Sequence, residues 1–188
     1  MTLREDSWRT RSIVRTMFPL LVVLTAIVLL AGITLEEAQD LLGEYGLLAI
    51  MVPTMINLGG NLGAILSSRL STRFHLGTTT IDLRDRDFLA DVGAILSLAF
   101  TLLVVLAVAA FGLGHLVNMV IPLPALLAIT LVSGMAVAIA TVPVSVAATY
   151  GSYRLGIDPD DVTIPIVTNV VDVFGMLIFI GTATFVLT

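Results

Sequence analysis

Long apolar runs separated by short polar segments dominate the pattern along the chain. A helix needs about 20 consecutive apolar residues to cross the hydrocarbon core of a bilayer. The uncharged run between Arg15 and Glu36 is long enough for one span, and the run from Tyr45 to Ser68 is long enough for a second. The pattern therefore predicts membrane-spanning helices.

A third run, from Val92 to Tyr153, contains no charged residue unless His115 is protonated. This run is too long for one span. Its middle, residues 112–124, reads GLGHLVNMVIPLP and contains Gly, Asn and Pro residues that interrupt helices. The run therefore divides into two helices, and one more apolar segment follows it. We predict an all-α, multi-pass membrane protein with five transmembrane helices at about 13–35, 44–73, 89–113, 124–150 and 162–187.

The basic residues predict the orientation of these helices. All nine are arginines, and they lie before the first helix, between the second and third, and between the fourth and fifth. The other two loops contain none. Because loops rich in arginine stay in the cytoplasm, we expect the N-terminus inside and the C-terminus outside.

Composition narrows the classes of function. The chain is 57% hydrophobic and 12% charged, whereas a soluble domain carries about 25% charged residues, so we expect it in the lipid bilayer of a cell membrane. Its net charge of −5 argues against nucleic acid as a partner. Cysteine is absent, the two histidines are far apart, and no nucleophile–base pair is evident. We therefore expect neither an enzyme nor an organic cofactor.

One acidic residue interrupts the last apolar segment. Asp172 lies near the middle of the fifth predicted helix, in TIPIVTNVVDVFG. A carboxylate at this depth is costly, and such residues usually face a bundle interior or a watery pathway. Thr168 shares its helix face, and Pro165 weakens the helix one turn earlier. Asp172 is either an ion-pathway residue or a structural acid held by Asn169 or Thr168.

The second predicted helix contains the polar sequence NLGGNLG, residues 57–63. Asn57 and Asn61 share one helix face, and Gly59 and Gly63 form a GxxxG pair that lets another helix approach closely. Gly60 exposes further backbone. One interpretation is a tight helix crossing joined by amide hydrogen bonds, and the other places Asn61 on an ion pathway with Asp172.

The donor atoms of these segments suit a hard cation, because they are carboxylate, amide and backbone oxygens. Mg²⁺ keeps several of its waters and often needs only one or two carboxylates. One acid per chain cannot compensate a divalent charge, so we expect two copies of Asp172 to meet at a twofold axis. Composition alone leaves Na⁺ and protons open.

Two blocks of sequence resemble a known family. Residues 53–72, PTMINLGGNLGAILSSRLST, resemble the second helix of the MgtE magnesium channel and transporter family, and GGNLG and SRLST are most similar to its animal solute-carrier branch. Residues 156–175, GIDPDDVTIPIVTNVVDVFG, resemble the family's entry into its fifth helix. The resemblance implies a homodimer whose pore passes Mg²⁺ and sometimes other divalent cations. It implies that Asp172 binds the metal, helped by oxygens from the preceding turns of the fifth helix, and Asn61 matches the GGN motif of the second helix. We therefore take Asp172, Asn61 and Thr168 as candidate metal ligands. From their positions in the sequence, Asn57, Asn169 and Asp91 are possible residues of the ion pathway.

The chain departs from the family in two ways. Bacterial members carry long cytoplasmic sensor domains, whereas only about 15 residues precede the first helix here. We therefore expect residues 1–188 to form a single transmembrane domain without that sensor. Ile65 also stands where the bacterial motif has glutamine.

Acidic residues crowd two of the predicted cytoplasmic loops. They either cap the helices that follow or attract divalent cations to the mouth of the pathway, with Asp91 the closest to the membrane. These residues are Asp82, Asp85, Asp87, Asp91, Asp158, Asp160 and Asp161.

The function we expect is a homodimeric channel or transporter for a divalent cation, with Mg²⁺ as the transported ion. Two alternatives stay open at this point. One is a carrier that couples Mg²⁺ movement to Na⁺ or H⁺, and the other is a non-transporting membrane subunit of a larger complex.

Overall fold

The computed structural model describes residues 10–76 and 85–188. Within these ranges all regular secondary structure is helical. The helices are α1 (Thr10–Glu37), α2 (Gln39–Glu44), α3 (Gly46–His75), α4 (Arg86–Leu116), α5 (Leu123–Arg154) and α6 (Pro159–Leu187).

Five of these helices are long and apolar enough to cross a membrane, which confirms the predicted all-α class and number of spans. The spans are Met17–Glu37, Gly46–Arg73, Arg86–Leu116, Leu123–Arg154 and Val162–Leu187. They correspond to α1, α3, α4, α5 and α6 in the order of the prediction.

The helix ends differ from the predicted ends by a few residues, most clearly in α4. This helix begins at Arg86, because Asp85 stands at its N-cap and the Asp85 side chain accepts a hydrogen bond from the backbone N–H of Asp87 at 3.4 Å. Capping chemistry, and not the edge of the apolar run, sets this boundary.

The short helix α2 lies in a segment that the apolar pattern assigned to a loop. The backbone N–H of Leu42 donates to the carbonyl of Ala38 at 3.0 Å, and that of Tyr45 donates to Leu41 at 2.9 Å. Leu41 and Leu42 pack against the main hydrophobic core. A six-residue helix is too short to show a helical period in sequence, so tertiary packing was needed to reveal it.

Helices α3, α5 and α6 pack against one another and form the centre of the bundle, and α4 packs on α5 and α3. The largest core cluster contains fully buried Leu47, Leu126 and Phe179. A smaller cluster of Val137, Val167 and Val171 lies where the three central helices meet. The site described below lies beside this smaller cluster.

Helix α5 buries a row of hydroxyl side chains among its neighbours. Most of these hydroxyls donate to a carbonyl one turn earlier on α5 itself, as Thr141 does to Val137 at 2.8 Å and Thr149 does to Ser145 at 2.7 Å. This pairing satisfies polar groups that would otherwise be buried without partners. The row consists of Thr130, Ser133, Thr141, Ser145, Thr149 and Ser152.

Helix α1 lies at the edge of the bundle and contacts α6 and α2. Phe18, Val23 and Leu29 are among its many exposed apolar side chains. In a membrane these side chains contact lipid, where their exposure carries no hydrophobic penalty.

Candidate ion site between α3 and α6

Asp172 lies near the middle of the α6 span and is partly exposed. One of its carboxylate oxygens, Oδ1, is fully buried and accepts no hydrogen bond from the residues that the structure describes. A buried oxygen without a donor is uncommon, since most buried polar atoms are paired. This oxygen therefore keeps lone pairs that none of the described residues uses.

The two polar neighbours of Asp172 on α6 bond to their own helix and not to the carboxylate. The Thr168 hydroxyl donates to the carbonyls of Ile164 at 2.9 Å and Pro165 at 3.2 Å. The Asn169 amide donates through Nδ2 to the Pro165 carbonyl at 2.8 Å. The interpretation of Asp172 as an acid held by Thr168 or Asn169 therefore has no support in the geometry.

These bonds follow from the local sequence of α6. Proline has no backbone N–H, so Pro165 leaves a carbonyl one turn earlier without its usual helical partner. The side chains of Thr168 and Asn169 bond to other carbonyls, those of Ile164 and Pro165, three or four residues before them. This is the local pattern that hydroxyl and amide side chains adopt within helices, and it does not replace the backbone bond that Pro165 removes.

The Asp172 carboxylate lies directly against the backbone of Gly60 on α3. A methyl group built on the Gly60 Cα would lie 2.8 Å from Asp172 Oδ1 and 3.6 Å from Thr168 Cβ. The two sequence blocks that carry the family resemblance thus meet at this crossing of α3 and α6. The sequence predicted a close helix contact at this motif and offered a pathway shared by Asn61 and Asp172, but it did not predict the contact of the carboxylate with Gly60.

The amides of α3 lie beside this contact on an exposed face. Asn61 donates through Nδ2 to Asn57 Oδ1 at 3.1 Å, and both side chains are exposed in the single chain. Ile65, which replaces the glutamine of the bacterial motif, continues the same face. Asn61 directly follows Gly60, so amide groups lie next to the position where Asp172 packs.

The other two glycines of the motif make apolar contacts. A methyl group on Gly59 would lie 2.8 Å from Val137 Cγ1 and 2.9 Å from Val171 Cγ1. A methyl group on Gly63 would lie 2.5 Å from Val167 Cγ1. Both positions fit the helix-packing role that the GxxxG spacing predicts.

Asp91 lies in an ion-pair cluster between α3 and α4, and its contacts are with arginines and not with Asp172. Its carboxylate is 4% exposed, accepts a hydrogen bond from Arg69 Nε at 2.7 Å, and lies 2.8 Å from Arg73 Nη2. Arg73 also lies 3.6 Å from Asp85. The arginines at positions 69 and 73 are one turn apart on α3, which is the signal that would have predicted a shared acidic partner.

The remaining acidic residues of these loops are only partly described. Asp85 caps α4, in line with the capping interpretation, and Asp158 Oδ1 lies 3.6 Å from His75 Nε2. Asp82 and the side chains of Asp160 and Asp161 lie outside the described residues. Across 10–76 and 85–188, no three acidic, histidine or cysteine side chains come together to hold a metal ion.

A sequence model of the MgtE family, described as a divalent cation transporter, matches residues 52–182. This match covers more than half of the chain and includes both Gly60 and Asp172. The chain belongs to the MgtE family. The resemblance found in the two sequence blocks is therefore confirmed for the family, while the closer likeness to its animal branch stays a prediction.

A curated relative supports the assignment to MgtE. The magnesium transporter MgtE of Thermus thermophilus is 32% identical over 169 residues, which cover 89% of this chain and 35% of the relative. The chain thus spans about a third of the length of this relative. Membership of a transporter family, with five candidate spans, makes this MgtE protein a multi-pass membrane protein and not an enzyme.

Proposed function

We propose that this MgtE protein forms a homodimeric pathway for a divalent cation, with Mg²⁺ as the transported ion and Asp172 as its main ligand. The observation that carries the proposal is the buried Oδ1 of Asp172, which lies at mid-span without a hydrogen-bond donor among the described residues. A carboxylate costs least at this depth when a cation compensates it. The family assignment supports the transport of a divalent cation.

The polar groups around Asp172 are arranged to offer oxygen lone pairs. The hydroxyl hydrogen of Thr168 and an amide hydrogen of Asn169 are engaged with carbonyls of α6. Asn61 likewise uses its Nδ2 to reach Asn57. Each of the three side chains keeps an oxygen that can still accept. We propose Thr168 and Asn61 as ligands that assist Asp172, with Asn57 and Asn169 along the pathway.

Mg²⁺ fits this donor set better than Ca²⁺. A Ca²⁺ ion takes six to eight oxygen ligands, whereas Mg²⁺ retains several waters and binds through one or two carboxylates. One chain supplies a single carboxylate at mid-span, together with neutral oxygens. A hydrated Mg²⁺ held by Asp172 and by water bound to the amides and hydroxyl satisfies these requirements.

A second copy of the chain completes the site. The exposed amides of α3 lie near the middle of its span. Apart from the bond between them, their remaining donors and acceptors would find no partner in lipid. A twofold axis beside α3 and α6 would cover these amides and bring two Asp172 carboxylates to one ion. Twofold symmetry is also the commonest form of oligomer.

The arginine-rich end of the bundle is proposed to face the cytoplasm. Arg69 and Arg73 lie near the end of α3, and Arg154 ends α5. These helices run parallel to each other in the predicted topology, so their ends share one side of the membrane. The positive-inside rule then places the N-terminus inside.

The test is Mg²⁺ influx into liposomes that contain the purified protein, compared with Asp172→Asn. The substitution keeps the shape of the side chain and removes its charge, so we expect the dimer and its melting temperature to persist. We expect the rate of Mg²⁺ influx to fall by more than about tenfold, because the variant lacks a ligand of the ion. Equal influx through both proteins would overturn the role of Asp172.

The same liposomes separate the alternative functions. Influx that depends on an imposed Na⁺ or H⁺ gradient would identify a coupled carrier. Absence of influx through the parent protein for Mg²⁺ and Mn²⁺, with and without those gradients, would instead support the non-transporting membrane subunit.

A further inference from the structure

Gly59 and Gly60 are neighbours on α3. Because glycine has no side chain, each leaves space that a group of another helix occupies, and the two groups differ. A methyl group at either position would come within 2.8 Å of a side-chain atom on another helix. At Gly59 that atom is a methyl carbon of Val137, and at Gly60 it is the buried oxygen of Asp172. The distances are equal, but the chemistry of the contacts differs.

The two contacts respond differently to an added methyl group. Valine is β-branched and has one strongly preferred rotamer in a helix, so Val137 and Val171 cannot turn away without cost. Both are also buried, at 5% and 3% exposure. The carboxylate of Asp172 stands at the end of a side chain with two rotatable bonds and can rotate. A methyl group at Gly59 therefore strains the helix packing, whereas one at Gly60 displaces the carboxylate.

We propose that Gly60 is a positioning residue that sets the direction of the Asp172 carboxylate. Oδ1 occupies the space that any side chain at position 60 would fill. Because a carboxylate is planar, holding Oδ1 against the α3 backbone also fixes the direction in which Oδ2 points. This inference rests on the proposed function, in which Asp172 binds the transported cation.

The position of the contact supports this role. Thr168 Cβ also borders this space, 3.6 Å from the built methyl group, and the Thr168 hydroxyl donates to two carbonyls of α6. Gly60 and Thr168 thus border the carboxylate, and neither donates a hydrogen bond to Oδ1. Contact and not hydrogen bonding therefore holds Oδ1 in place, and Oδ2 is the oxygen that this contact would direct toward a cation.

The experiment compares Gly60→Ala with its neighbour Gly59→Ala, with Gly63→Ala as a second packing control. For each variant we would measure the melting temperature in detergent, the Mg²⁺ concentration for half-maximal influx into liposomes, and the rise in melting temperature on adding Mg²⁺. Ligand binding to the folded state alone raises the melting temperature, so the last measurement reports ion binding without transport.

We expect Gly60→Ala to have a melting temperature close to that of the parent protein but to lose most of its stabilisation by Mg²⁺. It should need roughly tenfold more Mg²⁺ for half-maximal influx, because the metal ligand loses its support. Gly59→Ala and Gly63→Ala should melt at lower temperatures and retain the parent's half-maximal Mg²⁺ concentration. If transport losses instead followed the losses in melting temperature across the three variants, Gly60 would be a packing residue only.

Two further outcomes keep the inference and the proposed function separate. If Asp172→Asn abolished influx while Gly60→Ala matched the parent, the positioning role would be wrong and the proposed function would stand. If Asp172→Asn transported normally, the proposed function would fail. Should Gly60→Ala not fold, the double variant Gly60→Ala/Asp172→Ala should restore folding, because it removes the displaced carboxylate. Failure to restore folding would overturn the inference.

Discussion

The polar side chains near Asp172 direct their hydrogens toward their own helices. Thr168 illustrates the effect, since its hydroxyl donates to the carbonyls of Ile164 and Pro165 and its oxygen keeps lone pairs. Oxygen lone pairs left free in this way are the groups that would bind a cation at the proposed site. Since Asn61 and Asn169 each keep a second amide N–H, a preference for cations there would come mainly from the Asp172 carboxylate.

Thr168 offers a test of this arrangement. Thr168→Val keeps the branched shape and removes the oxygen, whereas Thr168→Ser keeps the oxygen and removes a methyl group. We expect the valine variant to raise the half-maximal Mg²⁺ concentration by about tenfold and the serine variant to stay near the parent. A larger effect of serine than of valine would assign Thr168 a packing role.

The sequence alone identified Asp172 and Thr168 as site residues, but it did not predict the contact between Asp172 and Gly60. A lone carboxylate in an apolar helix is conspicuous, so Asp172 could be identified directly, and helical spacing then pointed to Thr168. The meeting of Asp172 with Gly60 depends on how α3 and α6 are rotated and how they cross. Those quantities arise from packing among three helices, such as the contacts of Gly59 with Val137 and Val171, and no single segment encodes them.

At the scale of helices, Asp91 joins the end of α3 to the start of α4. Arg69 and Arg73 both reach its buried carboxylate. Buried carboxylates need such partners, because an unpaired charge is costly to remove from water. The sequence placed Asp91 near the membrane and suggested a pathway role, but its partner Arg69 lies 22 residues away along the chain.

Asp91→Asn should therefore lower stability, since two arginines would lose their shared countercharge. We expect a loss of about 1–3 kcal/mol in the free energy of unfolding, because Arg69 remains largely exposed and can turn to water. Asp87→Asn, an exposed change in the same helix, should cost less than about 1 kcal/mol. Thermal unfolding in detergent measures both. If the Asp91→Asn protein were as stable as the parent but failed to transport Mg²⁺, that result would instead support a role for Asp91 in the ion pathway.

For the whole molecule, the sequence predicted the class and number of spans because hydrophobic length is a strong signal. The start of α4 depended on capping by Asp85, and the short helix α2 depended on the tertiary contacts of Leu41 and Leu42. The proposed dimer extends this description beyond one chain. Its axis is expected beside the α3 face that carries Asn57 and Asn61, since those amides are exposed at mid-span.

The absence of cysteine from the sequence allows a direct test of that axis. Asn61→Cys should cross-link efficiently to its own copy in membranes with a short bismaleimide, because both copies would lie across the proposed pathway. Leu29→Cys, on the lipid-facing side of α1, should remain monomeric on denaturing gels. Efficient cross-linking at Leu29 and none at Asn61 would place the axis elsewhere.

The hydroxyl row of α5 has a consequence for motion. Because Thr130, Thr141 and Thr149 bond to carbonyls of α5 itself, α5 can turn or slide against its neighbours without breaking these bonds. The bonds that such a movement would break are those of Ser145 to the Gly63 carbonyl on α3 at 3.5 Å and of Thr163 on α6 to Ser152 at 3.4 Å. A shift of α5 against α3 therefore breaks few hydrogen bonds, and its cost depends mainly on how the valine methyl groups repack against the glycines of α3.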